Sequence, residues 1–166
     1  DDRHHRRMKH QLLPPFQKSN LAAYHQPIAG LVQKATRPWR DGERRDLHHD
    51  MHMLVWSIVR DLLYGLEEGA ASEELYKRLE GWMFRRFSPW VTFLPLDWPF
   101  TEYRRLLRDA AWLEQQFSEI LRARRAAGET RRDALSALLR YTNEDGTPAT
   151  DEQLVGHAAT LFLVAY

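Results

Sequence analysis

Apolar residues recur at three- and four-residue spacing along most of the chain, and no stretch alternates like a half-buried strand. The first such pattern covers residues 2–13 and ends at Pro14 and Pro15, because proline cannot continue a helix interior. A short helix is predicted near Ser19, and a separate helix is predicted to begin at Pro27, since proline suits a first turn. The pattern predicts an all-α fold.

Polar and glycine residues mark the ends of the middle helices. Asp46 is a good N-cap for a strongly amphipathic helix, and Gly65 stands where its C-terminal cap is expected. Ser72 is predicted to cap the next helix. Thr101 is predicted to start a long helix that stops at Gly128.

Residues 88–100 break the helical pattern. The segment holds three prolines and four large aromatic residues: Pro89, Pro95, Pro99, Trp90, Phe93, Trp98 and Phe100. This composition predicts a loop. Its aromatic side chains either line an apolar channel or pack the loop onto its own domain, and the composition favours neither over the other.

The last helix is introduced by Thr150 and Gln153, which form a predicted capping box. Residues 158–166 are apolar nearly all round, so this part of the helix should be surrounded by protein. The apolar run is too short to span a membrane. The pattern therefore predicts the central helix of a body larger than these 166 residues, with both ends of the sequence lying inside that body.

Composition narrows the classes of function. Apolar residues make up 43% and charged residues 28%, and the net charge of +1 gives no general case for binding nucleic acid. The chain has no cysteine, which excludes a thiolate metal site or a cysteine nucleophile within these residues. His48 and His52 have the spacing of metal ligands on a helix, but no third ligand is set by the sequence, so no metal site is predicted.

Four local patterns, taken in order, resemble the cytochrome P-450 family across essentially the whole chain. Residues 5–16 (HRRMKHQLLPPF) look like the family's C helix, and residues 58–65 (IVRDLLYG) look like the end of its E helix. Residues 143–154 (NEDGTPATDEQL) resemble the connection between the H and I helices. Residues 156–166 (GHAATLFLVAY) look like the I helix as it approaches the oxygen-activation motif.

The resemblance assigns roles to particular residues. It implies that His5 and Lys9 contact a haem propionate, since positions i and i+4 share one helix face. Ala165 would take the glycine position of the oxygen-activation motif, and Leu163 and Val164 would lie beside the substrate above the haem. The acid and the threonine of that motif would follow directly after Tyr166.

The same resemblance makes residues 88–100 the family's F–G region, which forms the substrate entrance. Trp90 and Phe93 are then expected to contact substrate. The cysteine that ligates the haem iron and the Glu-x-x-Arg pair of the K helix would lie outside these residues. Residues 1–166 are therefore expected to form a single partial domain, from the C helix into the I helix, that is inactive alone.

The implied parent is a haem-thiolate monooxygenase that inserts oxygen from O2 into an apolar organic substrate. It would receive electrons from a ferredoxin or a reductase, bind no nucleic acid and act in the cytoplasm, with an N-terminal membrane anchor left open. Two other classes remain open from the residues alone: a non-enzymatic helical ligand-binding module, such as a regulator's effector domain, and a histidine-bearing helical bundle that holds a metal.

Overall fold

The computed structural model describes residues 18–128, 133–143 and 145–165, with side chains given within 22–161 of those ranges. Seven α-helices lie in this described part, and it contains no strand beyond an isolated bridge between Thr142 and Pro148. The helices are α1 (Lys18–Thr36), α2 (Leu47–Ile58), α3 (Ala70–Arg86), α4 (Pro89–Phe93), α5 (Glu102–Ala127), α6 (Ala134–Leu139) and α7 (Asp151–Ala165). The all-α prediction is confirmed.

Helix α1 runs through Pro27 without a break, so the prediction of two separate helices here is wrong. A proline removes one backbone donor and thus one hydrogen bond of the helical ladder. The loss is local, and the helix is supported along its length because α1 packs against α2. Tertiary packing here overrides a local breaking signal.

Helix α2 continues directly into a π-helical segment, Val59–Tyr64, which ends at Gly65. Asp46 caps the start of α2 as predicted, because its carboxylate accepts a hydrogen bond from the His49 backbone N–H at 3.1 Å. Gly65 also forms the predicted C-terminal cap, with a left-handed φ of 58° that glycine adopts without steric cost. The π-helical geometry between these caps was not predicted.

The long helix α5 has both of its predicted caps. The Thr101 side chain accepts from the Arg104 backbone N–H at 3.2 Å, and Gly128 ends the helix in the left-handed region. Helix α3 differs from its prediction, because it begins at Ala70 and Ser72 lies inside its first turn. The Ser72 hydroxyl still serves the helix start, since it accepts a hydrogen bond from the Gly69 N–H.

The segment predicted as a loop between α3 and α5 contains the short helix α4. Pro89 lies in its first turn, where the missing N–H of proline costs no helical hydrogen bond. The remainder, residues 94–101, is irregular. The loop prediction is therefore wrong for residues 89–93, because a proline that breaks one helix can begin the next.

The core lies where α2, α3, α5, α6 and α7 meet. Its largest fully buried side chains are Trp56, Tyr64, Phe117, Leu121, Leu135, Leu138 and Leu154. Helix α5 contacts both α3 and α7 extensively. Among the helices of the described residues, none combines the length and the apolar character needed to cross a membrane.

Candidate functional site

Three helices leave an apolar groove between them. Helices α3, α5 and α7 enclose a cavity of about 120 Å³ on one side of the core. Its lining residues are Leu79, Trp82, Ala110, Leu113, Glu114, Phe117, Val155, Gly156 and Ala159. Because two of the α7 residues are glycine and alanine, the helix backbone itself forms much of one wall. An apolar groove of this kind suits the hydrocarbon part of a small molecule.

Trp82 gives the groove wall one distinctive polar atom. Its indole Nε1 is buried and has no hydrogen-bond partner. A buried donor without a partner costs about 1 to 3 kcal/mol, and such atoms are rare in folded proteins. The face of the same ring is approached by the Arg86 guanidinium, 5.5 Å from the ring centroid. One of the side chains that line the apolar groove therefore carries a buried donor without a partner.

Helix α7 is held in place at its start and near its middle. Thr150 and Gln153 form the predicted capping box, with the Thr150 N–H donating to Gln153 Oε1 at 2.9 Å and the Gln153 N–H donating to Thr150 Oγ1 at 3.3 Å. Further along, the Tyr64 hydroxyl donates to the Ala158 carbonyl at 2.6 Å. These contacts set the position of the helix that carries one wall of the groove.

Leu163, Val164 and Ala165 lie in the last turn of α7, and their side chains fall outside the described part. Leu163 is seven residues beyond Gly156, which is close to two turns of an α-helix. Its position on the helix therefore continues the line of residues that begins in the groove. His5 and Lys9 lie outside the described residues altogether.

The aromatic segment joins α3 to α5 and exposes most of its large side chains. Trp90 is 69% exposed and Phe93 is 81% exposed. Trp90 lines an open cavity of about 450 Å³ together with Ser88, Leu94, Thr101 and Glu102, whereas Phe93 does not contribute to it. The expectation that both residues contact substrate stays a prediction.

Phe100 is the strained residue of this segment. Its φ of 72° lies in the left-handed region, which bulky side chains rarely adopt, and its side chain is 92% exposed. The turn is held by Thr101, whose hydroxyl donates to the carbonyl of Leu96 at 2.7 Å and lies 2.8 Å from that of Trp98. The segment between α3 and α5 is thus bent sharply immediately before α5 begins.

A second cavity, of about 250 Å³, lies between α1 and the α2 helix with its π-helical extension. Arg60, Lys34 and Glu68 lie on its wall, and the Glu68 carboxylate accepts from the Lys34 ammonium and at 3.4 Å from Arg60. The hydrogen bond and charge of Lys34 lower the pKa of Glu68 below its usual value. Because the charged groups on its wall are paired with one another, this cavity has fewer free groups to bind a ligand. The apolar groove is therefore the better candidate for a ligand site.

Histidines of α2 do not form a metal site with other ligands. The rings of His48 and His52 stack with centroids 4.2 Å apart. Within residues 18–128, 133–143 and 145–165 there is no group of three histidine, cysteine, aspartate or glutamate side chains arranged to hold a metal ion. The carboxylate of neighbouring Asp50 accepts hydrogen bonds from Arg45. This hydrogen bonding lowers the pKa of the Asp50 carboxyl group.

Comparison with known proteins decides the family. No family model matches the chain. The chain is 29% identical to cyclooctat-9-en-7-ol 5-monooxygenase of Streptomyces melanosporofaciens, over 97% of this chain and 36% of that protein. It is 26% identical to lanosterol 14-alpha demethylase of Bos taurus over 87% of this chain, and 24% identical to putative cytochrome P450 135A1 of Mycobacterium tuberculosis over 100% of it. The sequence is thus similar to cytochrome P450s over most of its length.

Solved structures agree with this cytochrome P450 assignment at the level of the fold. The cyanobacterial CYP120A1 with retinoic acid bound has a TM-score of 0.83 at 21% identity, over 97% of this chain and 36% of that one. The haem domain of cytochrome P450DA has a TM-score of 0.68 at 19% identity, over 93% of this chain. The chain spans about a third of the length of the relatives it matches. The resemblance inferred from the sequence is confirmed.

The sequence predicts the helices that line the apolar groove, but it does not predict the groove itself. Periodicity places Leu79, Leu113 and Phe117 on the inward faces of their helices, but it does not show what lies opposite them. The sequence feature that could have indicated the groove is the pair of small residues in α7, Gly156 and Ala159. Small side chains leave space beside the helix backbone.

Proposed function

We propose that these residues belong to a haem-thiolate monooxygenase that inserts oxygen from O2 into an apolar organic substrate. The observation that supports it best is the apolar groove along α7, because this helix also carries the residues that resemble the approach to the oxygen-activation motif. Relatives are named for cyclooctat-9-en-7-ol, a taxane and lanosterol, compounds built mainly of hydrocarbon. Such molecules suit walls formed by leucine, phenylalanine and alanine.

Residues 1–166 form, in this proposal, one partial domain that runs from the C helix into the I helix. The iron ligand is a cysteine outside them, since the chain contains none. Haem ligated by a thiolate supplies the activation of oxygen, and the protein supplies binding, orientation and exclusion of water. We expect residues 1–166 alone to be inactive and the complete enzyme to be cytoplasmic, with a ferredoxin or a reductase as electron donor.

The residues of this chain fit haem in their chemistry. The apolar end of α7, with Leu163, Val164 and Ala165, suits the apolar face of a porphyrin, and Val164 would narrow the space beside the substrate. His5 and Lys9 would hold a propionate, since two donors at i and i+4 can reach one carboxylate. Lysine keeps the positive charge there without the bidentate geometry of arginine.

The groove forms one wall of the substrate cavity in this proposal, and the aromatic segment forms its entrance. Trp82 and Leu79 would contact the substrate from α3, with Gly156 and Ala159 beneath it. Trp90 would be reached first, since it lines the open cavity in the segment that connects two of the groove helices. Phe93 would border the entrance, and its exposure leaves it available to do so.

Two measurements on the full-length protein test the proposal. Reduced protein with carbon monoxide should show the red-shifted Soret band of thiolate-ligated haem, and an imidazole-type spectrum would overturn the assignment. Haem retention should fall much more in Lys9→Glu than in Arg6→Glu, because only Lys9 is proposed to meet the cofactor. Equal haem retention in both variants would remove the propionate role.

Filling the groove tests its role separately. Ala110→Phe places a ring in the groove and should weaken binding of an apolar ligand such as retinoic acid by about tenfold or more. Ala123→Phe, on an exposed position of the same helix, is the matched control and should leave the affinity unchanged. Equal affinities in the two variants, measured by optical titration, would return the groove to ordinary helix packing.

A further inference from the structure

The side chain of Tyr64 reaches across the core to the middle of α7. Its hydroxyl donates to the Ala158 carbonyl at 2.6 Å, and the two residues are 1% and 0% exposed. Ninety-four positions separate them in the sequence. Water cannot reach this contact, so no solvent molecule can take over the hydroxyl's role.

The acceptor is unusual, because it belongs to the interior of a helix. A carbonyl at this position normally accepts from the backbone N–H four residues later, here that of residue 162. A side chain that joins such a ladder is one of the identifiable causes of local helix bending. The Tyr64 hydroxyl therefore bonds directly to the backbone of α7.

Tyr64 is in turn held from three sides. The π-helical segment ends at this residue, and Gly65 follows in the left-handed conformation. The Tyr64 carbonyl accepts from Arg124 Nη2 at 2.7 Å, while Arg124 Nη1 donates to Asp133 at 2.6 Å. The Tyr64 ring packs against Phe117, with centroids 6.0 Å apart. The hydroxyl is consequently presented to α7 by a rigid support.

We propose that Tyr64 is a positioning residue, whose hydroxyl sets the path of α7 where this helix forms the ligand groove. The inference rests on the proposed function. Ala159, on the groove wall, is the residue after Ala158, and Leu163 follows four residues after Ala159. Without the hydroxyl, α7 relaxes at Ala158 and the spacing between its groove residues and a bound ligand changes.

The test removes one oxygen atom. Tyr64→Phe in the full-length haem-loaded protein is compared with wild type by optical titration with imidazole and with 4-phenylimidazole. Both probes are expected to bind the haem iron through the imidazole ring. Only the second also carries a phenyl ring, which must fit beside α7. The ratio of their two dissociation constants is expected to change by about threefold or more. Hydrogen exchange in a peptide covering 156–165 should also rise.

Tyr76→Phe is the matched control. Tyr76 is also buried, but its hydroxyl donates to Glu80 within its own helix at 2.9 Å, so the affinity ratio should stay at the wild-type value. Arg124→Lys, which weakens the support of Tyr64, should shift the ratio in the same direction by less, and serves if Tyr64→Phe folds poorly. The inference about Tyr64 is overturned if wild type binds both probes normally but Tyr64→Phe leaves the affinity ratio and the hydrogen exchange unchanged. The proposed function would not be affected by that result. If wild type shows no optical response to either probe, the proposed function itself fails.

Discussion

Two regions of the molecule use arginine and aromatic residues in opposite ways. Around Tyr64, the aromatic rings are buried and the Arg124 guanidinium, 7% exposed in its side chain, is bonded to Asp133 and to a backbone carbonyl. Between α3 and α5 the rings of Trp90 and Phe100 face solvent, and nearby Arg104 pairs with Asp97 at the surface. Residue type therefore does not decide the role, because burial and the satisfaction of polar atoms do.

The two regions differ in what their side chains can do. Those around Tyr64 hold the fold together, whereas those between α3 and α5 are exposed and free to contact a ligand. The buried region pairs Arg124 with Asp133 and with a backbone carbonyl, and it closes a core from five helices. The surface segment leaves eight large apolar side chains exposed within residues 84–100: Phe84, Phe87, Trp90, Phe93, Leu94, Leu96, Trp98 and Phe100. Apart from the effect proposed for Tyr64 on the ligand groove, we therefore expect changes in the first region to alter stability and changes in the second to alter ligand binding.

The largest effect is expected for Arg124→Ala. It leaves the buried Asp133 carboxylate without its counter-ion and should lower the free energy of unfolding by about 3 to 5 kcal/mol. The neighbouring Arg125→Ala is the control, because Arg125 is 52% exposed and pairs with exposed Asp151, a contact worth about 1 kcal/mol or less. Denaturant unfolding of the full-length variants measures both. Similar losses in the two would show that the buried network does not differ from a surface pair.

A smaller effect is expected for Phe117→Leu. Phe117 is 1% exposed in the core, and the shape change should cost about 1 to 3 kcal/mol. Phe100→Leu makes the same exchange at a 92% exposed site and should stay within about 0.5 kcal/mol. The same unfolding experiment compares them. If Phe100→Leu proves as costly as Phe117→Leu, the surface segment contributes to stability and the contrast between the regions is lost.

Ligand affinity provides the reverse comparison. Trp90→Ala is expected to weaken binding of an apolar ligand by roughly threefold to tenfold, since a loop residue at an entrance contributes contact area without supporting the core. Phe93→Ala should have the smaller effect of the two, because Phe93 does not line the open cavity. Optical titration gives the affinities and haem content serves as the check on folding. Unchanged affinities across a panel of ligands would assign the segment to packing alone.

The smallest effect concerns pH. Lys34 lowers the pKa of Glu68 in the folded protein, so their contact stabilises the fold above the ordinary Glu68 pKa of 4.5 and is lost as pH falls through the lowered value. Lys34→Ala should cost less than about 1 kcal/mol at pH 7, because both groups are exposed. Unfolding measured from pH 7 downwards should show this difference shrinking below pH 4.5. A difference that grows as pH falls would contradict the assigned pair.

Sequence alone predicted the parts of this structure that are governed by neighbouring residues. The caps at Asp46, Gly65 and Thr101 depend on contacts within three or four positions, and each is present. The bond between Tyr64 and Ala158 joins residues that only the fold brings together, and nothing in periodicity indicates it. Arg124 is one of several arginines near the end of a long helix, and nothing in the sequence pattern distinguishes it from exposed neighbours, although it is buried.

The candidate site divides in the same way. Trp90 stands out in the sequence as an aromatic residue among prolines, and its role at a substrate entrance stays a prediction. The groove could not, since it exists only where α3, α5 and α7 meet and each helix alone shows an ordinary apolar face. The roles proposed for His5, Lys9, Leu163, Val164 and Ala165 rest on the family resemblance and stay predictions.

The π-helical turn Val59–Tyr64 carries a consequence for how this sequence can vary in length. A π turn accommodates one residue more than an α turn, so it acts as a single-residue insertion absorbed inside a helix. Because an α-helix turns by about 100° per residue, a one-residue deletion that this turn does not absorb would rotate the residues after it by that angle. The Tyr64 side chain would then no longer face α7, although Tyr64 and Gly65 would both be retained. Homologous sequences that keep this link should therefore keep the number of residues here, even where they change their identity.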